Sequence, residues 1–379
     1  MKSGKHTLAR ATGAGGLRSR AGTDSGSGWV AGIDMGASNL RFARADLRGH
    51  LGAVRAEQVR PEGGPAGVIA QIKAGIEGLG PSGAVHLGHA SRKRSGLAAI
   101  AIGVPSAVDP RTGRVSLANN LPGWRDIDLR WALESAFNVP VVVDNDANLA
   151  ALGELWKGTA SGAANFVFVA LGTGIGAGIV VDRRLCHGRT GNAGELYRLN
   201  VDWRQWAQVF RDTGYFEAHV AGLGIAAAGR RALGTRRRSG ARRLVETRDA
   251  HFVFEAFRKG DSRARAVLER AFTMLGVGVA NLVCVLDPDL IVLGGGLTRG
   301  APDFMLETVE RVLKRIHPDI APPVRLSSLG DRAQIYGAVF AALAAVGRAP
   351  TERAVAGDSR ARRPAATPAL TRTQASPVN

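Results

Sequence analysis

Three glycine turns and one run of carboxylates and amides are the parts of this 379-residue sequence best equipped for chemistry. The turns are Asp34-Met35-Gly36-Ala37-Ser38-Asn39, Leu171-Gly172-Thr173-Gly174-Ile175-Gly176 and Gly294-Gly295-Gly296. A missing β-carbon lets backbone N–H groups approach phosphate oxygens, so each turn is a candidate phosphate cradle. Any one of them alone would serve equally as a plain hairpin; their order and spacing along one chain is the stronger signal. None carries the lysine of a Walker A loop, and LGTGIGAGIVV continues as a strand instead of opening a helix, which argues against P-loop and Rossmann readings. Between the first two turns lies Asp144-Asn145-Asp146-Ala147-Asn148, where the apolar run VPVVV gives way to LAALGELW. In isolation that cluster is a good helix cap. It also offers what phosphoryl transfer to a hydroxyl asks of a protein: a carboxylate, here Asp146, to accept the hydroxyl proton while donors and Mg2+ hold the phosphates. Glu195, in Gly191-Asn192-Ala193-Gly194-Glu195, and Glu217, in Thr213-Gly214-Tyr215-Phe216-Glu217, add paired acceptors of the kind a polyol's hydroxyls need.

These residues need an α/β frame, and the sequence supplies one. WVAGIDMG predicts a short buried strand running into the first turn, with LRFARADL as its hairpin partner. AGVIAQIKAGIEGL predicts an amphipathic helix, LAAIAIGVP a buried strand, and VPVVVDNDANLAALGELWKG a strand, polar turn and helix. NFVFVALGTGIGAGIVVDRRL then repeats the strand, glycine turn and strand. ARAVLERAFTMLGVGVANLVCVLD predicts a long helix feeding the strand DLIVLGGGL, and QIYGAVFAALAAV a closing helix. Two strand-turn-strand units, each followed by helices and further strands, imply a duplicated fold with a cleft between its halves.

Composition narrows the classes. At 45% hydrophobic residues the chain can build two ordinary cores, and no run approaches the roughly 18 uninterrupted apolar residues of a membrane span. The N-terminus lacks an apolar signal core, so a cytoplasmic protein with no membrane partner is the default expectation. Cys186 and Cys284 show neither metal nor redox spacing and read as small core residues. The +18 net charge is uneven: residues 1–28 hold five basic against one acidic residue, 348–379 six against two, and 230–248 eight against one. With the body between them close to neutral, the two tails read as solvated disorder and the Arg-rich 230–248 segment as an exposed loop and helix edge. Nucleic acid is therefore not an expected partner.

The succession DMGASN, GVP, NLPGW, DNDAN, LGTGIGAG, GNAGE, LDPDLIVLGGG and YGAVFAA, spread over residues ~30 to ~346, resembles the ROK family of bacterial hexose kinases and sugar-responsive repressors, a branch of the actin/hexokinase/Hsp70-like ATPases. The resemblance implies two actin-like (ribonuclease H-like) α/β domains closing over sugar and MgATP. They would span 29–145, completed by a C-terminal helix at 332–347, and 146–331, between disordered tails at 1–28 and 348–379. It implies phosphate or nucleotide contacts from Asp34, Gly36, Ser38, Asn39, Gly172, Thr173, Gly174, Gly294, Gly295 and Gly296, with Mg2+ near Asp34 through water. It implies Asp146 as the catalytic base and Asn120, Asn145, Asp146, Glu195 and Glu217 as the sugar-binding set, with Arg198 counted among them because it stands at a position where the family contacts sugar. Family members often form homodimers.

Departures from the family pattern matter as much. Three residues after the glutamate that Glu195 matches, the family usually carries a histidine that contacts sugar and often helps bind a structural zinc; here that residue is Arg198. The usual cysteine cluster is absent, the segment reading Val201-Asp202-Trp203-Arg204-Gln205-Trp206, and Tyr215 stands where a cysteine would be. Zinc needs four N, S or O ligands, so none is expected here, and His219 reads as structural. Ala37 and Ser106 stand where the family favours glycine. An arginine differs from histidine in charge and reach, which opens the choice of an acidic or phosphorylated sugar in place of glucose, or an Arg198–glutamate pair that leaves the pocket unproductive. A kinase is the leading expectation, with a non-catalytic sugar sensor second. A DNA-binding repressor comes third, because it would need a helix-turn-helix ahead of Trp29, where the sequence has 28 glycine- and serine-rich residues.

Overall fold

The computed structural model describes residues 28–36, 38–80, 96–117, 123–210, 213–234 and 249–349. Expectations placed on the two tails, on Ala37, on Asn120 and on most of the Arg-rich segment fall outside them.

The chain opens with β1 (Trp29–Met35), buried along its whole length, which turns at Gly36 and returns as the antiparallel β2 (Asn39–Asp46) and β3 (Leu51–Gln58). Helix α1 (Gly64–Glu77) leads toward β4 (Leu97–Val104), parallel to β1. A small antiparallel sheet of β5 (Val108–Asp109), β6 (Arg114–Leu117) and β7 (Arg125–Ile127) follows, then α2 (Leu129–Phe137) and β8 (Val141–Asn145), parallel to β4. The first large sheet therefore runs β3-β2-β1-β4-β8.

Helix α3 (Asp146–Lys157) leaves β8 with no intervening loop, and the pattern restarts with β9 (Phe166–Leu171), β10 (Ile175–Val181) and β11 (Arg184–Leu185). After the short α4 (Glu217–Val220) come α5 (Gly222–Leu233), α6 (His251–Arg258) and the long α7 (Ser262–Leu286). Then β12 (Leu290–Gly294), α8 (Pro302–Ile316), β13 (Val324–Leu326) and α9 (Ala333–Ala345) close the chain. The second large sheet runs β11-β10-β9-β12-β13. Its pairings copy those of the first: an antiparallel three-strand meander, then two parallel strands. The duplication read from the two glycine hairpins is thus a duplication of whole sheets.

Helices α3 and α9, the equivalent helices of the two halves, pack on one another. Their backbones meet at glycines: a β-carbon on Gly337 would collide with the Leu149 carbonyl, and one on Gly153 with the Ala333 carbonyl. The helices also cross over. Ala338 and Val339 of α9 pack with Val30, Ala99 and Ala101 of the first sheet, while Ala150, Ala151 and Leu155 of α3 pack with Phe166, Phe168 and Val292 of the second. Each sheet is thereby covered by a helix launched from the other half.

Helix α7 is long and apolar enough to cross a membrane by length and composition, but half of its most apolar stretch is buried in the second core beside α5, α6 and α8. It also carries a correction. Cys284, expected in a core, is exposed with Val285 on the outer face of α7, and Cys186 is exposed just past the edge strand β11. A helix with apolar residues on every side gives no periodicity to mark its inner face, and an edge strand is covered on one side only.

Candidate active site

Asp34, Asn145, Asp146, Gly172 and Gly294 lie at the carboxyl ends of strands, where α/β sheets bind ligands, while Glu195, Arg198 and Glu217 come from short helical segments. In the first sheet Asp34 of β1 is in register with Gly103 of β4, and Gly103 with Asp144 of β8, so both carboxylates stand at one sheet end. Asn145 ends β8 and caps α3: its Oδ1 accepts from the N–H groups of Ala147 (2.8 Å) and Asn148 (3.4 Å). Its Nδ2 donates to the Ser106 carbonyl at 3.2 Å. The capping reading and the site reading therefore both apply to this cluster. Capping sets the entry angle of α3 and holds Asp146 in its first turn, with Asp146 Oδ1 accepting from the Ala147 N–H at 2.8 Å.

Burial pushes the Asp146 carboxyl up to about 7, and the nearby carboxylates of Asp34 and Glu195 add to the push. Burial likewise raises Asp34 to about 6, although the Arg41 guanidinium, 3.2 Å from Asp34 Oδ2, works against it. The side-chain amide of Gln334, in the first turn of α9, also faces Asp34: turned nitrogen-inward, it donates to both oxygens at 2.8 and 2.9 Å. Glu195 is raised by burial and by Glu217, with the positive charge of Arg198 opposing. Glu217, raised by burial, accepts from the Ile175 N–H at 3.1 Å, and its carboxylate lies against Gly174. Asp34, Asp146, Glu195 and Glu217 thus form one electrostatic chain from the first sheet to the second glycine turn.

That turn is tied down from behind. The Gly172 N–H donates to the Gly174 carbonyl at 3.0 Å, and the Gly172 carbonyl accepts from the Gly222 N–H at the start of α5 at 2.9 Å. Thr173 is exposed at its tip. The third turn adjoins it, since Gly294 of β12 is in register with Ala170 of β9. Gly295, at φ +94°, could carry no β-carbon without striking the Leu171 carbonyl, and Gly296 beyond it is exposed. In the first turn the Gly36 N–H donates to the Asn39 carbonyl at 2.9 Å, and Ser38 is exposed. Asn120 lies outside the described residues.

Arg198 is exposed, its guanidinium 5.0 Å above the ring of its neighbour Tyr197, and it reaches Glu195 by charge rather than by a hydrogen bond. The residues around it do not fit a zinc ion: Arg198 and Tyr215 offer no ligand of the usual kind, and among the described residues no three His, Cys, Asp or Glu side chains cluster to hold a metal. His219 instead pairs through Nδ1 with the Tyr215 carbonyl at 2.7 Å, and its ring packs 4.6 Å from that of Tyr215, which Phe210 meets edge-on.

Sequence reasoning missed Arg41, Gln334 and His187. Arg41 had a signal, because folding the first hairpin about Gly36 sets Asp34 opposite Arg41. Gln334 and His187 meet their carboxylates only through tertiary contacts.

Two duplicated sheets of this topology, with glycine turns and carboxylates at their strand ends, define a two-domain actin-like α/β protein. Within that class the chain belongs to the ROK family, whose profile matches residues 30–345. A glucokinase of Halalkalibacterium halodurans is 31% identical over 319 residues, 82% of this chain and 93% of that protein. A putative xylose repressor of a Caldicellulosiruptor species is 32% identical over 254 residues, 65% of this chain and 62% of that protein. Among solved structures, a ROK family glucokinase from Streptomyces griseus in complex with glucose and AMPPNP aligns with a TM-score of 0.66 at 25% identity, covering 83% of this chain and 99% of that one.

Proposed function

We propose that the protein is an ATP-dependent kinase of a hexose or hexose derivative, with Asp146 as general base. The observation that carries this reading is the Asp146 carboxylate, held by the α3 cap at the junction of the two halves and raised to about 7, where a base for a sugar hydroxyl works best. In the proposed step a sugar hydroxyl oxygen forms a bond to the γ-phosphorus, the bond from that phosphorus to the β–γ bridging oxygen breaks, and the hydroxyl proton passes to Asp146. Asn145, Glu195 and Glu217 orient the sugar, with Arg198 at the rim, and Asn120 belongs to the same proposed set. The turns that carry Gly36, Ser38 and Asn39, Gly172 to Gly174 and Gly294 to Gly296 line the proposed nucleotide path, the Gly36 and Gly172 N–H groups shaping the turns through bonds to the Asn39 and Gly174 carbonyls.

Mg2+ would neutralise charge on the transferred phosphoryl group. The donor set suits an ion that arrives on the phosphates and needs one carboxylate, here Asp34, directly or through water. Arg41 and Gln334 then act as keepers of Asp34, holding its carboxylate toward the strand end.

The test is ADP release by the full chain with MgATP against hexoses, amino sugars, N-acetyl sugars and sugar acids, with Asp146→Asn as control. Sugar-dependent release that vanishes in the control supports the kinase. Silence across the panel combined with measurable sugar binding would establish the second reading, a sugar sensor. That reading draws on the xylose-repressor relative and on the replacement of histidine by Arg198.

A further inference from the structure

Asp144 ends β8 in the first sheet, while His187 follows β11 at the edge of the second. His187 Nε2 lies 2.8 Å from Asp144 Oδ2. The other Asp144 oxygen accepts from the Asn145 N–H at 2.7 Å and from Asn148 Nδ2 at 2.8 Å, so the carboxylate grips the first turn of α3 on both sides of Asp146. On the other side, the His187 carbonyl accepts from the Ala193 N–H at 3.2 Å, closing a loop that ends in Glu195. One histidine thus joins the loop delivering Glu195 to the helix turn delivering Asp146.

We propose that His187 is a positioning residue, a clasp between the two halves that fixes the spacing of the Asp146 and Glu195 carboxylates. The proposal rests on the kinase reading for its consequence in catalysis, but the clasp is a property of the chain without ligands. An exposed ion pair would contribute little. This one differs because the Asp144 side chain is only 10% exposed and its other donors, the Asn145 N–H and Asn148 Nδ2, flank Asp146 in the first turn of α3. Loss of the histidine leaves a buried carboxylate oxygen without a partner. The hydrogen bond to Asp144 raises the His187 pKa, in the direction expected of a ring that donates to a carboxylate. Sequence spacing gives no hint of the contact, as the partners stand 43 residues apart.

The experiment uses the full chain, His187→Ala and His187→Gln, with D-glucose and MgATP as probes and amide hydrogen exchange on the ligand-free proteins. His187→Ala should raise the KM for glucose about tenfold, with the KM for ATP within about twofold of wild type. It should also speed exchange in residues 187–195 and 145–149 together. Glutamine, whose amide can donate at similar reach, should restore most of both effects. Unchanged exchange in either segment, an equal rise in both KM values, or a glutamine variant as impaired as the alanine one overturns the clasp. A wild-type protein that turns over no glucose speaks against glucose as the substrate, and the exchange measurements then decide the clasp alone.

Discussion

Asp146 ionises near neutrality because it is buried among carboxylates, and that environment has opposite effects on activity and stability. As a base it must be deprotonated, so kcat/KM for the sugar should fall as pH drops below about 7, following one ionisation. Replacing it with asparagine should lower kcat by roughly 10²–10⁴ while leaving sugar affinity within a few-fold, checked by steady-state kinetics and calorimetry. For stability the sign reverses. A folded-state pKa raised from 3.8 to about 7 means the folded protein binds the extra proton, so this contribution is full below pH 3.8 and is lost as pH rises through about 7. Asp146→Asn should therefore be more stable than wild type at pH 8, by about 1–3 kcal/mol in denaturant melts, with the gap closing toward pH 4. A variant less stable than wild type at pH 8 would contradict the burial argument. Arg198 belongs to the same scale: since its charge opposes the rise in Glu195, Arg198→Ala should push Glu195 up further and weaken sugar binding more at acidic than at alkaline pH values. Equal weakening at both values would place its effect elsewhere.

At the scale of elements, the hairpins, the buried strands and the terminal helix were legible because each is an apolar stretch of suitable length set off by glycine or polar residues. VPVVVDNDAN marked both β8 and the start of α3, since Asp and Asn between an apolar run and an apolar helix suit a cap, but it did not say which of them caps; that is Asn145. What was not legible depends on distance through space. The inner face of α7, the exposure of Cys186 and Cys284, and the partners His187 and Gln334 are set by packing, which leaves no local period. The segment around Tyr215 shows the same limit, for the sequence revealed missing zinc ligands but not the Phe210–Tyr215–His219 cluster present there. That cluster makes a prediction of its own. Prolonged chelator treatment followed by return of Mg2+ should leave the melting temperature unchanged, whereas Tyr215→Ala should cost about 3 kcal/mol, as for a buried aromatic. A fall in melting temperature after chelation would reveal a metal that this packing does not accommodate.

At the scale of the molecule, the two halves are joined where α3 and α9 cross, and the site sits at the starts of these same helices. Gly153 and Gly337 let the helix backbones touch, so the crossing controls how near Asp146, at the head of α3, comes to Asp34, held by Gln334 at the head of α9. A methyl group at Gly337 would force the helices apart against the Leu149 carbonyl. Gly337→Ala should cost about 1–3 kcal/mol in stability and, because reacting groups displaced by ~1 Å lose on the order of a hundredfold in rate, should lower kcat far more than sugar affinity. Denaturant melts and steady-state kinetics on one preparation separate the two effects. A variant that is destabilised but keeps wild-type kcat would mean that the halves move to their working positions independently of this crossing. Closure over both substrates would then be set by the ligands rather than by the helix pair. A variant with normal stability and normal turnover would show that the helix backbones part freely, which the opposed glycines at Gly153 and Gly337 argue against.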